Sequence, residues 1–117
     1  MQFVVLCAII PDAQEEKIIE MTKKAGAGSV TIVHGKNIGL EEKKIFFGLT
    51  LEENVSILLF ILPQKISSSI FKALKAELKL DDKNSSNGIV FTFPLTHLAG
   101  LDIDEIELFE EEVKNKL

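Results

Sequence analysis

The chain has 117 residues, of which 46% are hydrophobic and 26% charged, a composition typical of a single globular domain over residues 1–117. Its net charge is −5 and all 13 basic residues are Lys, so no basic patch indicates binding to a nucleic acid. The apolar start lacks a basic region and meets Pro11 too early for a signal peptide or a membrane span, so no direct membrane insertion is expected.

The first predicted strand is the apolar run Phe3–Ile10, which is long enough and sufficiently β-branched to be buried on both faces. Its Cys7 is expected to be a small buried hydrophobe, and a lone cysteine, unable to pair within the chain, favours a cytoplasmic location. After Pro11, Asp12 followed three residues later by Glu15 predicts a capping box at the start of a helix. The apolar stripe of that helix consists of Ile18, Met21, Thr22 and Ala25.

The stretch from Gly26 to Lys36 predicts a helix end, a second strand and an exit into a polar loop. Gly26 suits the left-handed position that closes a helix. The strand Ser29–His34 follows, and then an exposed loop over Gly35–Lys44. Gly35 and Lys36 at this exit can offer free backbone N–H groups and one cation to an anion, which makes them a candidate phosphate site.

The second half of the chain repeats the alternation of strands and helices. Ile45–Leu51 is expected to pair as a strand or to extend the second one, and Glu52–Asn54 is expected to form a turn. Val55–Leu62 is another uninterrupted apolar run, which predicts a central strand. The remaining predicted elements are a helix at Lys65–Leu80, a polar loop at Asp81–Gly88, a strand at Ile89–Phe93 and a terminal helix from Asp102.

This order of elements predicts an α+β fold, a ferredoxin-like β-α-β-β-α-β sandwich with an extra C-terminal helix. Two helices cover one face of a four-stranded sheet, yet the strands Phe3–Ile10 and Val55–Leu62 are apolar on both faces. Roughly eight apolar positions therefore need cover on the other face, and self-association of the chain is expected.

No arrangement of residues typical of catalysis occurs in the sequence. There is no nucleophile elbow, no Walker-type phosphate loop and no His paired with an acid at motif spacing. The adjacent Asp81 and Asp82 are expected to form a solvated turn. His34, His97 and Cys7 do not have the spacing of metal ligands, so no dedicated metal site is predicted. We therefore expect a protein that is not an enzyme.

Three stretches of the chain resemble the P-II-like superfamily of signalling proteins, of which the nitrogen regulators are best known. Ala25–Thr31 resembles the small, Gly-rich turn that ends in Thr. Val33–Asn37 resembles the strand exit that opens the T-loop, and Asn84–Phe91 resembles the B-loop with the strand after it. The order of elements is similar to this family from Phe3 to about Pro94.

The resemblance implies a homotrimer whose sheets pack inward and whose inter-subunit clefts hold an adenine nucleotide (ATP, ADP or AMP) or a related effector. Carried over residue by residue, it implies that the ligand-binding residues are Thr31, Gly35, Lys36 and Gly88. It also implies a signalling loop over residues 35–44 that contacts a regulated enzyme or transporter. The candidate partner-binding residues in this loop are Asn37, Gly39, Glu41 and Lys43.

The chain departs from the nitrogen regulators at several points. Ile89 stands where those proteins have a Lys after the B-loop glycine, and the chain contains neither Arg nor Tyr. Two other interpretations stay open. One is a CutA-like trimer with a metal-tolerance or structural role, for which copper or zinc would bind at His34, His97 or Cys7. The other is an effector-binding module that resembles ACT domains.

Overall fold

The computed structural model describes residues 2–40, 45–46, 49–50, 52–83 and 87–101. In chain order its elements are β1 (Phe3–Pro11), a 3-10 turn (Asp12–Gln14), α1 (Glu15–Lys24), β2 (Thr31–Ile38), β3 (Ile45–Phe46), β4 (Leu49–Thr50), β5 (Glu52–Pro63), α2 (Gln64–Glu77) and β6 (Ile89–Pro94). The terminal helix predicted from Asp102 lies outside the described residues.

Four of the strands form one antiparallel sheet in the order β2-β5-β1-β6. β1 pairs with β5 along its whole length, from Phe3 opposite Pro63 to Pro11 opposite Val55, and with β6 on its other side. This is the strand order of a β-α-β-β-α-β unit, so the predicted α+β, ferredoxin-like fold is confirmed. β3 and β4 form a separate two-stranded sheet instead of extending β2.

Both helices pack on one face of the four-stranded sheet and bury its core there. Side chains alternate between the faces of a strand, and Leu6, Ile10 and Phe60 project towards the helices with no exposed surface. The predicted stripe of α1 is confirmed, since Ile18 and Thr22 are buried. The buried cluster is completed by Ile18 of α1, by Ile66, Ile70 and Leu74 of α2, and by Leu78, which directly follows α2.

The other face of the sheet, which we call the open face, is apolar and has no covering element among the described residues. Val5, Cys7 and Ile9 of β1 project from it, next to the odd-numbered residues of β5 and β6. Phe91 and Phe93 of β6 are 40% and 46% exposed, and their rings stack with centroids 6.5 Å apart. The expected two-sided apolar character of the central strands is therefore present in the fold.

Two predicted boundaries around β2 and β5 were wrong. The sequence predicts that β2 spans residues 29–34 and that a loop begins at Gly35, but β2 runs from Thr31 to Ile38. It also predicts a turn at Glu52–Asn54, but these residues begin β5. The cause is mutual pairing: Gly35 to Ile38 lie opposite Val55 to Glu52, so ladder hydrogen bonds extend two segments whose polar composition suggests loops.

The predicted helix starts also need correction. α1 begins at Glu15 with Gln14 at the N-cap, and no side chain caps it, so the capping box of Asp12 and Glu15 is not formed. Both carboxylates instead lie within hydrogen-bond distance of Oγ of Ser56 in β5, whose single hydroxyl hydrogen can be donated to one of them at a time. α2 begins one residue earlier than predicted, directly after Pro63, and ends at Glu77 instead of Leu80.

Candidate functional site

Strand β2 carries three of the four candidate ligand-binding residues and lies at an edge of the sheet. Thr31 is its first residue, Gly35 lies opposite Val55, and Lys36 lies opposite Asn54. All three candidates are exposed. Gly35 and Lys36 are adjacent, but Thr31 is about 13 Å away along the strand. Because side chains alternate along a strand, Thr31 projects from the open face and Lys36 from the helix-covered face.

Gly88, the fourth candidate, lies at the opposite edge of the sheet. It directly precedes β6 with φ of +126°, and a Cβ at this position would lie 2.3 Å from the carbonyl oxygen of Ile9. A glycine is therefore required here by the fold itself. Three strand spacings, about 14 Å, separate β6 from β2. Within one chain, Gly35 and Lys36 are together, whereas Thr31 and Gly88 are both distant from them.

Two residues of the candidate partner-binding loop are described. Asn37 lies in β2 and is partly buried, and Gly39 follows the end of that strand. The other two candidates, Glu41 and Lys43, lie outside the described residues. The assignment of partner binding to this loop stays a prediction.

Two shallow cavities are lined by residues other than the candidate ligand-binding residues. One, of about 240 Å³, lies between α2 and β6 and is lined by Ser67, Ser68, Phe71, Lys72 and Thr92. The other, of about 140 Å³, lies between the end of α1 and the start of β2. Both are smaller than the roughly 300–1,000 Å³ usual for sites that enclose a small molecule. Neither of these two cavities is lined by a candidate ligand-binding residue.

A polar cluster that the sequence did not indicate joins four elements, the 3-10 turn, α1, β2 and β5, at the level of His34. Ser56, in the middle of β5, has no exposed surface. Its Oγ lies 2.7 Å from Oε1 of Glu15 and 3.0 Å from Oδ1 of Asp12. The same Glu15 oxygen lies 2.5 Å from Nε2 of His34 on β2. We call these four residues the Glu15 network.

The electrostatics of the Glu15 network favour a charged carboxylate at its centre. Hydrogen bonds from Ser56 and then from His34 hold the pKa of Glu15 below its ordinary value, although partial burial acts in the opposite direction. An ionised carboxylate can only accept, so Nε2 of His34 carries the hydrogen and donates it. Ser56 was the available signal in the sequence, as a polar residue inside the apolar run of β5.

The other described residues that could bind a metal or act as a nucleophile do not form a site. Among the described residues, no three or more His, Cys, Asp and Glu side chains are grouped so as to hold a metal ion. Cys7 is buried, and desolvation raises the pKa of its thiol. The thiol is the unreactive form of cysteine, so Cys7 acts as the small hydrophobe that the sequence predicts.

None of the described helices is long and apolar enough to cross a membrane.

No protein-family model matches the chain, and no curated protein sequence matches it either. Several solved structures, in contrast, are similar to it. One is CPII, a nitrogen regulatory PII-like protein from Thiomonas intermedia K12, bound to ADP, AMP and bicarbonate. It matches with a TM-score of 0.64 and 14% identity, over 86% of this chain and 98% of that one. The protein has a P-II-like fold.

Two further solved structures share this P-II-like fold. The GlnK–ATP complex of B. subtilis has a TM-score of 0.58 and 21% identity, over 81% of this chain and 83% of that one. The periplasmic divalent cation tolerance protein CutA from Archaeoglobus fulgidus has a TM-score of 0.63 and 16% identity, over 95% of this chain and 98% of that one. Identities this low show a common fold and leave function to be argued from the residues.

Proposed function

We propose that this P-II-like protein is a regulatory protein, not an enzyme, which binds an adenine nucleotide or a related small effector and signals through residues 35–44. The observation that carries the proposal is the fold, because CPII with ADP and AMP and GlnK with ATP share it. Gly35 and Lys36 lie exposed on an edge strand and are available to a ligand.

The proposed assembly is a homotrimer with the open faces packed inward. The open face presents Ile61, Phe91 and Phe93 to solvent at 49%, 40% and 46% exposure. Burial of apolar surface contributes about 25 cal/mol per Å², so a contiguous face of this kind favours association with another apolar surface. A second and a third copy of the chain offer such a surface.

The proposed ligand site spans two chains. Lys36 and Gly88 lie at opposite edges of one sheet, about 14 Å apart across three strand spacings. In a closed ring of subunits, the β2 edge of one chain can approach the β6 edge of the next. This arrangement would supply Gly35 and Lys36 from one subunit and Gly88 from its neighbour to a nucleotide in the cleft.

The charge available to a phosphate is smaller in this chain than in the nitrogen regulators. Ile89 replaces the lysine that follows the B-loop glycine, and no Arg is present. Each charge-assisted hydrogen bond contributes about 1.5–3 kcal/mol, so the loss of one weakens binding roughly ten- to a hundredfold. We therefore expect Lys36 to provide a large share of the attraction for phosphate, and AMP or ADP to be bound nearly as well as ATP.

A thermal-shift screen with ATP, ADP, AMP, cyclic nucleotides and bicarbonate tests the proposed function. A ligand at a hundred times its dissociation constant stabilises the protein by about 2.7 kcal/mol, which gives a clear shift. Lys36→Ala should abolish the shift, whereas Lys72→Ala, which removes an exposed lysine of α2, should retain it. No shift with any of these compounds, at millimolar concentration, would contradict the proposed nucleotide site.

The CutA-like interpretation is the alternative, because the match to CutA covers 95% of this chain. In that case the trimer would have a metal-tolerance or structural role. Calorimetric titration with copper and zinc separates the two functions. Stoichiometric binding that is lost in His34→Ala, His97→Ala or Cys7→Ser would favour the CutA-like role, and heat from a nucleotide alone would favour the regulator.

The proposed partner is a regulated enzyme or transporter that contacts Asn37, Gly39, Glu41 and Lys43, in the cytoplasm. A photo-crosslinking amino acid at position 39 should capture this partner in a nucleotide-dependent way. The same crosslinker at position 68, on the exposed side of α2, provides the control. Equal crosslinking at both positions would contradict signalling through residues 35–44.

A further inference from the structure

The larger of the two shallow cavities forms a groove between α2 and β6, which we call the α2–β6 groove. Ser67, Ser68, Phe71 and Lys72 of α2 line one side of it, and Thr92 of β6 lines the other. Phe71 packs against the buried core but is only half-buried itself. β6 is an edge strand, so no further strand of the described sheet covers this side. The groove therefore presents an aromatic ring, hydroxyl groups and one ammonium group to solvent.

The exposed side of α2 next to this groove is basic. Lys65, Lys72 and Lys75 are exposed, and their spacings of seven and three residues place them on one face of the helix. Of these three, Lys75 has an ion-pair partner 3.4 Å away among the described residues. The single acidic residue of α2, Glu77, pairs with Lys17 of α1 and so faces the other flank of the helix. The groove is thus bordered by positive charge that the described part of the chain neutralises only in part.

The whole net charge of the chain lies in its last 16 residues, 102–117, which we call the terminal segment and which lie outside the described residues. They contain seven of the 18 acidic residues and two of the 13 basic ones, so residues 1–101 are neutral and the terminal segment carries −5. The sequence predicts a helix here, in which Ile106, Phe109, Val113 and Leu117 would share one side. The terminal segment therefore combines an apolar side with a strongly acidic remainder.

The chain leaves the sheet at the end where α2 begins. The amide of Gln64, the first residue of α2, donates to the carbonyl of Gln2 at 3.0 Å, and the amide of Leu95 donates to the carbonyl of Phe3, also at 3.0 Å. Six residues, 96–101, connect Leu95 to the terminal segment, so the two are separated by at most about 25 Å. The terminal segment therefore begins within reach of the first turns of α2 and of the groove beside them.

The terminal segment and the basic side of α2 match in length and in charge. As a helix, the acidic stretch 102–112 extends about 15 Å, and so does the row of lysines from Lys65 to Lys75. The open face offers no such match, because none of the described strand residues that project from it is a lysine. Charge complementarity thus favours the α2–β6 groove over the open face as the surface for this segment.

We propose that the terminal segment docks in the α2–β6 groove of its own chain, with its apolar side on Phe71 and its carboxylates beside Lys72 and the neighbouring lysines of α2. The proposal goes beyond the proposed function and does not depend on a nucleotide site. Apolar burial on Phe71 supplies attraction without direction, and the opposite charges determine which surface is chosen. A docked terminal segment would occupy the basic side of α2 and keep other acidic chains from it.

Photo-crosslinking from the groove tests this proposal in the full-length protein. p-Benzoylphenylalanine in place of Phe71 keeps an aromatic ring there, and on illumination it should crosslink to residues 102–117. Mass spectrometry of the digested protein identifies the crosslinked residues, and a denaturing gel should show the product at the mass of one chain. The same amino acid in place of Phe93, on the open face, is the control and should not capture the terminal segment of its own chain.

Charge variants test why the segment docks there. Lys72→Glu should lower the yield of the crosslink about 2- to 5-fold, the range for one exposed ion pair. Salt at about 1 M should lower it as well, because the Debye length falls to about 3 Å. Lys24→Glu is the matched control, since it makes the same change of charge at an exposed position of α1 and should leave the yield unchanged. The proposal is overturned if position 71 crosslinks to other residues, if the product joins two chains, or if the two lysine variants behave alike.

Discussion

Gly26 and Lys79 occupy the same position in the same helix-ending motif. After α1, the amides of Gly26 and Ala27 donate to the carbonyls of Lys23 and Thr22, and after α2 those of Lys79 and Leu80 donate to Ala76 and Lys75. Both positions have positive φ, +110° at Gly26 and +53° at Lys79. This is the pattern of a Schellman motif, in which glycine is favoured because a side chain is strained there.

Lys79→Gly is therefore expected to stabilise the fold. Relief of the left-handed strain exceeds the added flexibility of the unfolded chain, so the free energy of unfolding should rise by up to about 1 kcal/mol. Urea unfolding at fixed protein concentration measures the change. Lys72→Gly is the matched control: it lies exposed inside α2 and should lower the free energy of unfolding by about 1 kcal/mol. The explanation fails if both variants are destabilised alike.

Gly88 and Gly35 differ sharply in what a methyl group would meet. At Gly88 the added Cβ would lie 2.3 Å from the carbonyl oxygen of Ile9, in a backbone conformation with positive φ, whereas at Gly35 it would meet nothing within 4 Å. Gly88→Ala should lower the free energy of unfolding by about 2 kcal/mol or more. Gly35→Ala should change it by less than about 1 kcal/mol. Equal effects in urea unfolding would mean that β1 does not confine Gly88.

The lowered pKa of Glu15 predicts how the free energy of unfolding depends on pH. A carboxyl group whose pKa is lower in the folded chain binds fewer protons there, so its contribution to stability is present at neutral pH and is lost as the pH falls through its folded pKa. The unaltered protein should therefore lose its advantage over Glu15→Gln below about pH 4. Urea unfolding from pH 7 to pH 3 gives this difference, and Glu16→Gln should remain parallel to the unaltered protein throughout. A constant difference between the unaltered protein and Glu15→Gln would refute the assignment.

The parts of the fold that could be predicted from the sequence are those in which local pattern and tertiary environment agree. The continuous apolar runs of β1 and β5 gave buried central strands, and Gly26 ended α1 as expected. The end of β2 could not be predicted, because its polar residues become a strand only by pairing with Glu52–Val55. Local propensity carries no information about a partner segment so far along the chain.

The candidate site was less predictable than the fold for the same reason. In the Glu15 network, His34 is 19 residues from Glu15, and Ser56 is 41 residues from Glu15. The sequence pattern assigned Glu15 to a capping box, a local role, whereas Ser56 and His34 lie within reach and offer it two donors. Gly88 also lies too far from Gly35 and Lys36 in one chain to share a pocket with them, so the proposed site depends on an assembly.

Phe91→Asp tests that assembly. A carboxylate on the open face would have to lose its water in the proposed interface, which costs several kcal/mol without a partner charge. We expect light scattering to show three chain masses for the unaltered protein and one for the variant. Ser69→Asp is the control, since Ser69 is exposed on α2 and belongs neither to the open face nor to an edge strand of the sheet. A Phe91→Asp protein that keeps the mass of the unaltered trimer would show that the open face is not the interface. That result would also contradict the proposed ligand site between two chains.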